Sequence, residues 1–170
     1  MTQLKKRVLI YGYGNPGRQD DGLGIEMTNM VQQWIDEHEL GCMTTDNNYQ
    51  LNIEDAEKIS EWDIVVFVDA SKEENMHEFR FREVEPSDAK VEFSMHAVSP
   101  SYVLHLSEKL FNKSPKTYIL GIRGFEWDFK EEISDIAKLN LEQAFQYLTR
   151  KLAGWALIKK NLPIGMLTQD

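Results

Sequence analysis

The 170-residue sequence predicts a three-layer α/β/α domain around a central, mostly parallel twisted sheet of about five strands, with one edge strand antiparallel. Three observations carry that expectation. Short apolar runs alternate with longer amphipathic stretches, as expected when strands lie between helical layers. The run at 63–68 (DIVVFV) is continuous enough to be buried on both faces, the mark of a parallel strand. Residues 77–84 alternate instead, with Phe79 and Phe81 pointing one way and Arg80 and Arg82 the other, which suits a half-exposed edge.

The remaining elements follow in order. Residues 7–12 (RVLIYG) read as a buried strand that ends in a glycine-rich loop. From position 21 to about 37, Leu23, Ile25, Met27, Met30, Val31 and Trp34 form a helix-spaced apolar stripe. Residues 41–45 fit a second strand, and 53–60 a short helix with acidic residues in its first turn, where the helix dipole favours them. Residues 99–111 read as a helix with Pro100 at its first position, where the missing N–H has no cost. A further strand covers 117–122, and a long amphipathic helix covers 134–152 with Ser134 as N-cap candidate. The expected organisation is one hydrolytic domain over 1–152 and an appendage over 153–170, where Gly154, Pro163 and Gly165 interrupt any period.

Composition narrows the function classes. A net charge of −9 argues against a phosphate-tracking nucleic-acid binder, which needs a basic face. The single cysteine, Cys42, excludes an internal disulfide and any CxxC zinc site and suits a reducing compartment. Residues 1–6 are polar and the apolar run after them spans only 8–11, so no signal peptide is expected. No stretch reaches the roughly 20 apolar residues of a membrane helix. The expectation is a cytoplasmic protein with no membrane partner.

The glycine loop GYGNPG at 12–17 formally matches the dinucleotide fingerprint GxGxxG after a strand and before a helix. Electrostatics oppose that reading, because Asp20 and Asp21 put two negative charges where a pyrophosphate would sit. The stretch YGYGNPG also resembles the opening of bacterial peptidyl-tRNA hydrolases, but the catalytic histidine that follows their loop has no counterpart in Arg18-Gln19-Asp20-Asp21-Gly22. A third reading makes the two aspartates the point of the motif. Each has a structural alternative: Asp20 as a helix cap, Asp21 as a dipole partner.

Two other residues join them. Asp69 follows a buried run, at the carboxyl end of a strand where open α/β sheets bind ligands. His96 precedes the helix at 99–111. Taken singly, Asp69 also suits a turn and His96 a surface cap. Together Asp21, Asp69 and His96 make a mixed O/N donor set that fits borderline divalent metals such as nickel, zinc or cadmium with positions left open.

With these motifs in view, the chain resembles the hydrogenase maturation endopeptidases. The resemblance rests on GYGNPGRQDDGLG, then Tyr49-Gln50-Leu51, Val66-Phe67-Val68-Asp69-Ala70, Ser94-Met95-His96 with Ser99-Pro100, and GIRGFEW at 121–127, and covers about residues 7–150. It implies a phosphorylase/hydrolase-like α/β fold and an endopeptidase that removes a C-terminal extension from the large subunit of a nickel–iron hydrogenase after nickel insertion. It places the family's three metal ligands on Asp21, Asp69 and His96, with Asp20 as a possible substitute for Asp21. The partner implied is the large-subunit precursor, and the nickel is carried by that substrate. Asn15, Arg18, Asp20 and Gln50 are expected to line the cleft. The alternatives are a peptidyl-tRNA hydrolase-like enzyme and a non-catalytic nickel-binding maturation factor. No serine or cysteine nucleophile stands out, since Ser71, Ser94 and Ser99 lack a GxSxG elbow.

Overall fold

A computed structural model describes residues 5–89 and 98–156. Its five-stranded sheet has the order β2-β1-β3-β5-β4, formed by β1 (Val8–Tyr13), β2 (Met43–Asn48), β3 (Ile64–Ser71), β4 (Phe79–Glu83) and β5 (Lys116–Arg123). The β1–β2, β1–β3 and β3–β5 pairs are parallel, while β4 runs antiparallel along β5 at the edge. The apolar runs thus occupy the centre of the sheet, and the alternating Phe–Arg segment is the antiparallel edge, as the sequence predicts.

Helices α1 (Leu23–Glu37) and α4 (Asp135–Trp155) cover one face. There Val8, Ile10, Val66 and Val68 pack with Met27, Val31, Leu141 and Leu148. Helices α2 (Asp55–Ser60) and α3 (Pro100–Phe111) cover the other, where Leu9, Tyr11, Val65 and Phe67 meet Ile59, Val103 and Leu104. Burying both faces removes most of the apolar side chains of the three central strands from water, the dominant favourable term in folding. Among the described residues no helix is long and apolar enough to cross a membrane.

Several boundaries differ from the sequence reading. Strand β2 runs from Met43 to Asn48, not over 41–45, because Asp46, Asn47 and Asn48 pair with Tyr11, Gly12 and Tyr13 despite their polarity. An edge strand with one exposed side tolerates such residues. The chain enters α1 through a 3₁₀ turn, Gln19–Gly22, so Asp21 lies in that turn and not in the first turn of an α-helix. Strand β3 extends through Asp69 to Ser71, and α4 continues to Trp155 with Ala153 and Ala156 buried. Ser134 caps α4 as expected and Ser99 caps α3, their side chains accepting the N–H of Ala137 and Tyr102.

Helix α1 approaches the sheet closely. A Cβ on Gly24 would stand 2.5 Å from the Val68 carbonyl oxygen and 2.7 Å from that of Tyr13. Only glycine allows the helix start to sit between the ends of β1 and β3, which brings the preceding turn against both strands.

Candidate functional site

Loops leaving the carboxyl ends of β1, β3 and β5 meet at one rim of the sheet. Gly14 follows β1 with φ 141°, a conformation that L side chains avoid, and a Cβ there would run into the Asp21 carbonyl oxygen. The loop therefore folds directly onto the 3₁₀ turn. The Asn15 N–H donates to Asp21 Oδ2 at 2.9 Å, fixing one oxygen of that carboxylate. This contact also bears on the dinucleotide fingerprint: the loop N–H that could face a phosphate is taken by an aspartate.

Asp69 lies beside it. Its side chain is half-buried at the end of β3. Burial, reinforced by the charge of Asp21, pushes its carboxyl up to about 7, against the Ala70 N–H and the Tyr13 hydroxyl, which both favour the ionised form. Tyr13 is itself pushed well above its usual range, first by burial and then by the charge of Asp69. The two carboxylates thus share one locality, with Tyr13 bonded to one of them.

Of the three ligands expected from the sequence, the structure brings Asp21 and Asp69 together, whereas His96 lies outside the described residues. Among the described residues there is no group of three or more His, Cys, Asp and Glu able to hold a metal. Two crowded carboxylates, one retaining its proton to near neutrality, form an oxygen donor pair whose charge a divalent cation would neutralise. Among the described residues a hollow of about 160 Å³ opens next to Asp69, bordered by Ser71, Met76, Arg80, Arg82 and Gly121.

The other expected cleft residues divide. Arg18 is exposed and its guanidinium stacks 4.5 Å from the Phe129 ring centroid. The Asn15 side chain is spent on its own loop, accepting the Gly17 N–H at 2.9 Å. Gln50 is exposed in the loop after β2, its amide 3.5 Å from Asn52 Oδ1.

Asp20 corrects the sequence reading. It is fully buried and makes no cap for the 3₁₀ turn or for α1. Its Oδ2 accepts the N–H groups of Phe125 and Glu126 at 2.7 and 3.0 Å and the Ser134 hydroxyl at 2.7 Å, while Oδ1 accepts the Ser134 N–H at 2.8 Å. Burial raises its carboxyl, but these donors outweigh burial and hold it below the usual carboxylate range. With both oxygens engaged and no exposure, Asp20 neither lines a cleft nor substitutes for Asp21.

The residue that sequence reasoning missed is Tyr13. Period two puts Tyr11 and Tyr13 on one face of β1 and Phe67 and Asp69 on one face of β3, and only the β1–β3 register sets those faces side by side. A direct consequence concerns pH. In the metal-free protein a carboxyl carbon of Asp69 is expected to titrate near pH 7 by NMR, and Asp21→Asn to bring it down toward ordinary aspartate. Between the unfolded value of 3.8 and about 7, the folded state holds the extra proton, so this group makes stability fall as pH rises through that window. An Asp69 signal titrating near pH 4 in the wild type would refute the crowding described here.

No family model matches the chain, and no curated protein sequence matches it. Solved structures do. The NiFe hydrogenase maturation protease HycI from Thermococcus kodakarensis KOD1 superposes with TM-score 0.67 at 21% identity, over 88% of this chain and 94% of that one. The NiFe hydrogenase maturation protease HybD from Thermococcus kodakarensis gives TM-score 0.65 at 21% identity, over 86% and 99%. The hydrogenase maturating endopeptidase HybD from E. coli gives TM-score 0.65 at 14% identity, over 87% and 93%. With these TM-scores and nearly full coverage on both sides, the chain has the fold of the hydrogenase maturation proteases.

Proposed function

We propose that the chain is an endopeptidase that removes the C-terminal extension of a nickel–iron hydrogenase large subunit after nickel insertion. Asp21, Asp69 and His96 recognise the nickel already seated in that substrate. The observation that carries this reading is the carboxylate pair at the carboxyl rim of a fold shared with proteins named as hydrogenase maturation proteases.

The chemistry follows from the donor set. A divalent cation brought by the substrate neutralises the pair and displaces the proton that Asp69 otherwise keeps to about pH 7. An extension lacking the ion leaves two like charges facing each other and gains no anchor, which makes the metal the test of substrate readiness. Hydrolysis adds a water oxygen to the scissile carbonyl carbon, breaks the C–N bond and leaves a proton on the departing amine. A carboxylate within reach of that water serves as general base, or the ion polarises the carbonyl; both routes use the same rim. The Asn15 N–H and the Tyr13 hydroxyl fix the orientation of the two carboxylates. The proposal includes action in the cytoplasm on the large-subunit precursor, in keeping with a lone, half-buried Cys42.

The test is incubation of the full chain with large-subunit precursor, nickel-loaded and nickel-free, followed by mass measurement. Shortening of the loaded form alone is the expected result. Binding without shortening would assign a nickel-binding maturation factor instead, and turnover of peptidyl-tRNA would overturn the reading outright.

A further inference from the structure

The register of the sheet sets two rows of side chains across its α2–α3 face at the rim. Asp69 of β3 stands level with Gly121 of β5 and Arg80 of β4, and Phe67 stands level with Ile119 and Arg82. Phe79 and Phe81 pack on the α1–α4 side, so the alternation of β4 turns Arg80 and Arg82 to the side that carries Tyr13, Phe67 and Ile119. Gly121 leaves a gap in the first row. A Cβ there would meet nothing closer than the Ser71 Cβ at 3.9 Å, and the hollow of about 160 Å³ beside Asp69 runs over Gly121 to the two arginines. Two strand spacings, about 9.5 Å, separate the backbones that carry its facing walls.

The charges around this hollow are unequally engaged. Arg80 is held by Glu73 at 2.9 Å. The Arg82 side chain makes no ion pair or hydrogen bond among the described residues, although its charge reaches the Tyr13 hydroxyl and favours the ionised form. It is not the counter-ion of Asp69: the groups that act on that carboxyl are Asp21, the Ala70 N–H and the Tyr13 hydroxyl, none of them a cation. The hollow thus has a carboxyl wall that lacks a cation and a guanidinium wall that lacks an anion. At this volume, below the roughly 300–1,000 Å³ of a pocket that encloses a small molecule, it fits a single functional group.

Peptide hydrolysis creates an anion of its own beside the group that activates water. Water adds its oxygen to the scissile carbonyl carbon and passes a proton to a base, while the carbonyl π pair moves onto the carbonyl oxygen, which becomes negative. Collapse restores the C=O bond, breaks the C–N bond and sends the base's proton to the departing amine. The acid left behind ionises to a carboxylate. A scissile carbonyl within reach of a water at Asp69 has this hollow next to it, and a guanidinium matches the two oxygens of the product in geometry and charge. We infer that the hollow between Asp69 and β4 is an anion site for the scissile carbonyl, where Arg82 stabilises the negative oxygen during attack and holds the new C-terminal carboxylate after cleavage. The inference rests on the endopeptidase reading and adds a catalytic residue on the edge strand.

The test is steady-state cleavage of nickel-loaded precursor by the full chain carrying Arg82→Gln or Arg82→Lys. Beside it runs inhibition by a peptide that ends at the cleavage point found by mass, prepared as free acid and as C-terminal amide. Arg82→Gln is expected to lower kcat about tenfold to a hundredfold with KM within about threefold, less than the roughly 10²–10³ of an enclosed oxyanion donor because Arg82 opens to water. Arg82→Lys is expected to recover part of the loss by keeping the charge without the fork. The wild type is expected to bind the acid about tenfold more tightly than the amide, and Arg82→Gln to bind the two alike. Wild-type kcat in Arg82→Gln, or an acid preference that it retains, overturns the anion site and leaves the endopeptidase reading standing. A raised KM with unchanged kcat does the same and assigns Arg82 to an acidic side chain of the extension instead. A wild type that cleaves no precursor overturns both.

Discussion

Asp69→Asn and Asp21→Asn are each expected to slow processing of a nickel-loaded precursor by about a hundredfold or more while the fold stays intact. Both substitutions keep the side-chain volume, so packing at the ends of β1 and β3 is undisturbed. What changes is charge. Asp69 sits where burial and the Asp21 carboxylate already oppose ionisation, and it gains most when a cation arrives. An amide at that position removes an anionic ligand and any general base it supplies. Asp21→Asn leaves the Asn15 N–H with an acceptor only if the amide oxygen turns toward it, so the loop keeps its shape while the pair loses half its charge. His96→Ala is expected to have a similar effect. The readout is the rate of appearance of the shortened subunit by mass, beside thermal melts that exclude unfolding. Three variants that processed at the wild-type rate would remove the site from consideration.

The largest expected effect on stability belongs to the neighbouring aspartate. Asp20→Ala strips four donors of their acceptor at once. Charge-assisted hydrogen bonds contribute about 1.5–3 kcal/mol each, and the desolvation of a fully buried carboxylate offsets a large part of that sum. A net loss of about 3 kcal/mol follows, which lowers the melting midpoint by about 6–12 °C for a chain of this length. Asp20→Asn is expected to recover little, because its amide N–H₂ meets N–H donors. The carboxyl is held below its ordinary value of 3.8, so this contribution is complete above that pH and fades as pH falls through the depressed value. A melting midpoint for Asp20→Ala equal to that of the wild type would show that the four bonds carry no net stability.

Adjacent aspartates with opposite roles illustrate what a sequence can and cannot convey. Strands β1 and β3 were legible because they are buried on both sides and so are written as apolar runs, and β5 through its shorter run at 118–120. Strand β4 was legible because one side is wet. The second half of β2 was not, since Asp46, Asn47 and Asn48 owe their extended conformation to pairing with β1 and to nothing in their own side chains. The acidic pair was visible as a motif, but its division of labour depends on a 3₁₀ turn that points Asp20 inward to the β5–α4 connection and Asp21 toward β3. Tyr13 was passed over because its bond to Asp69 exists only once β1 and β3 are neighbours.

Helix α4 is fastened at both extremities. Its cap, Ser134, is bound by Asp20, and its last residue, Trp155, stacks on Tyr118 with ring centroids 5.1 Å apart. Tyr118 stands near the beginning of β5, at the end of the sheet opposite the carboxylates. With 21 residues at about 1.5 Å each, the helix acts as a strut of about 31 Å between the two ends of the sheet. A beam staked at each end ties the loop that holds Asp20 to the far end of β5, so a substitution at Trp155 bears on both.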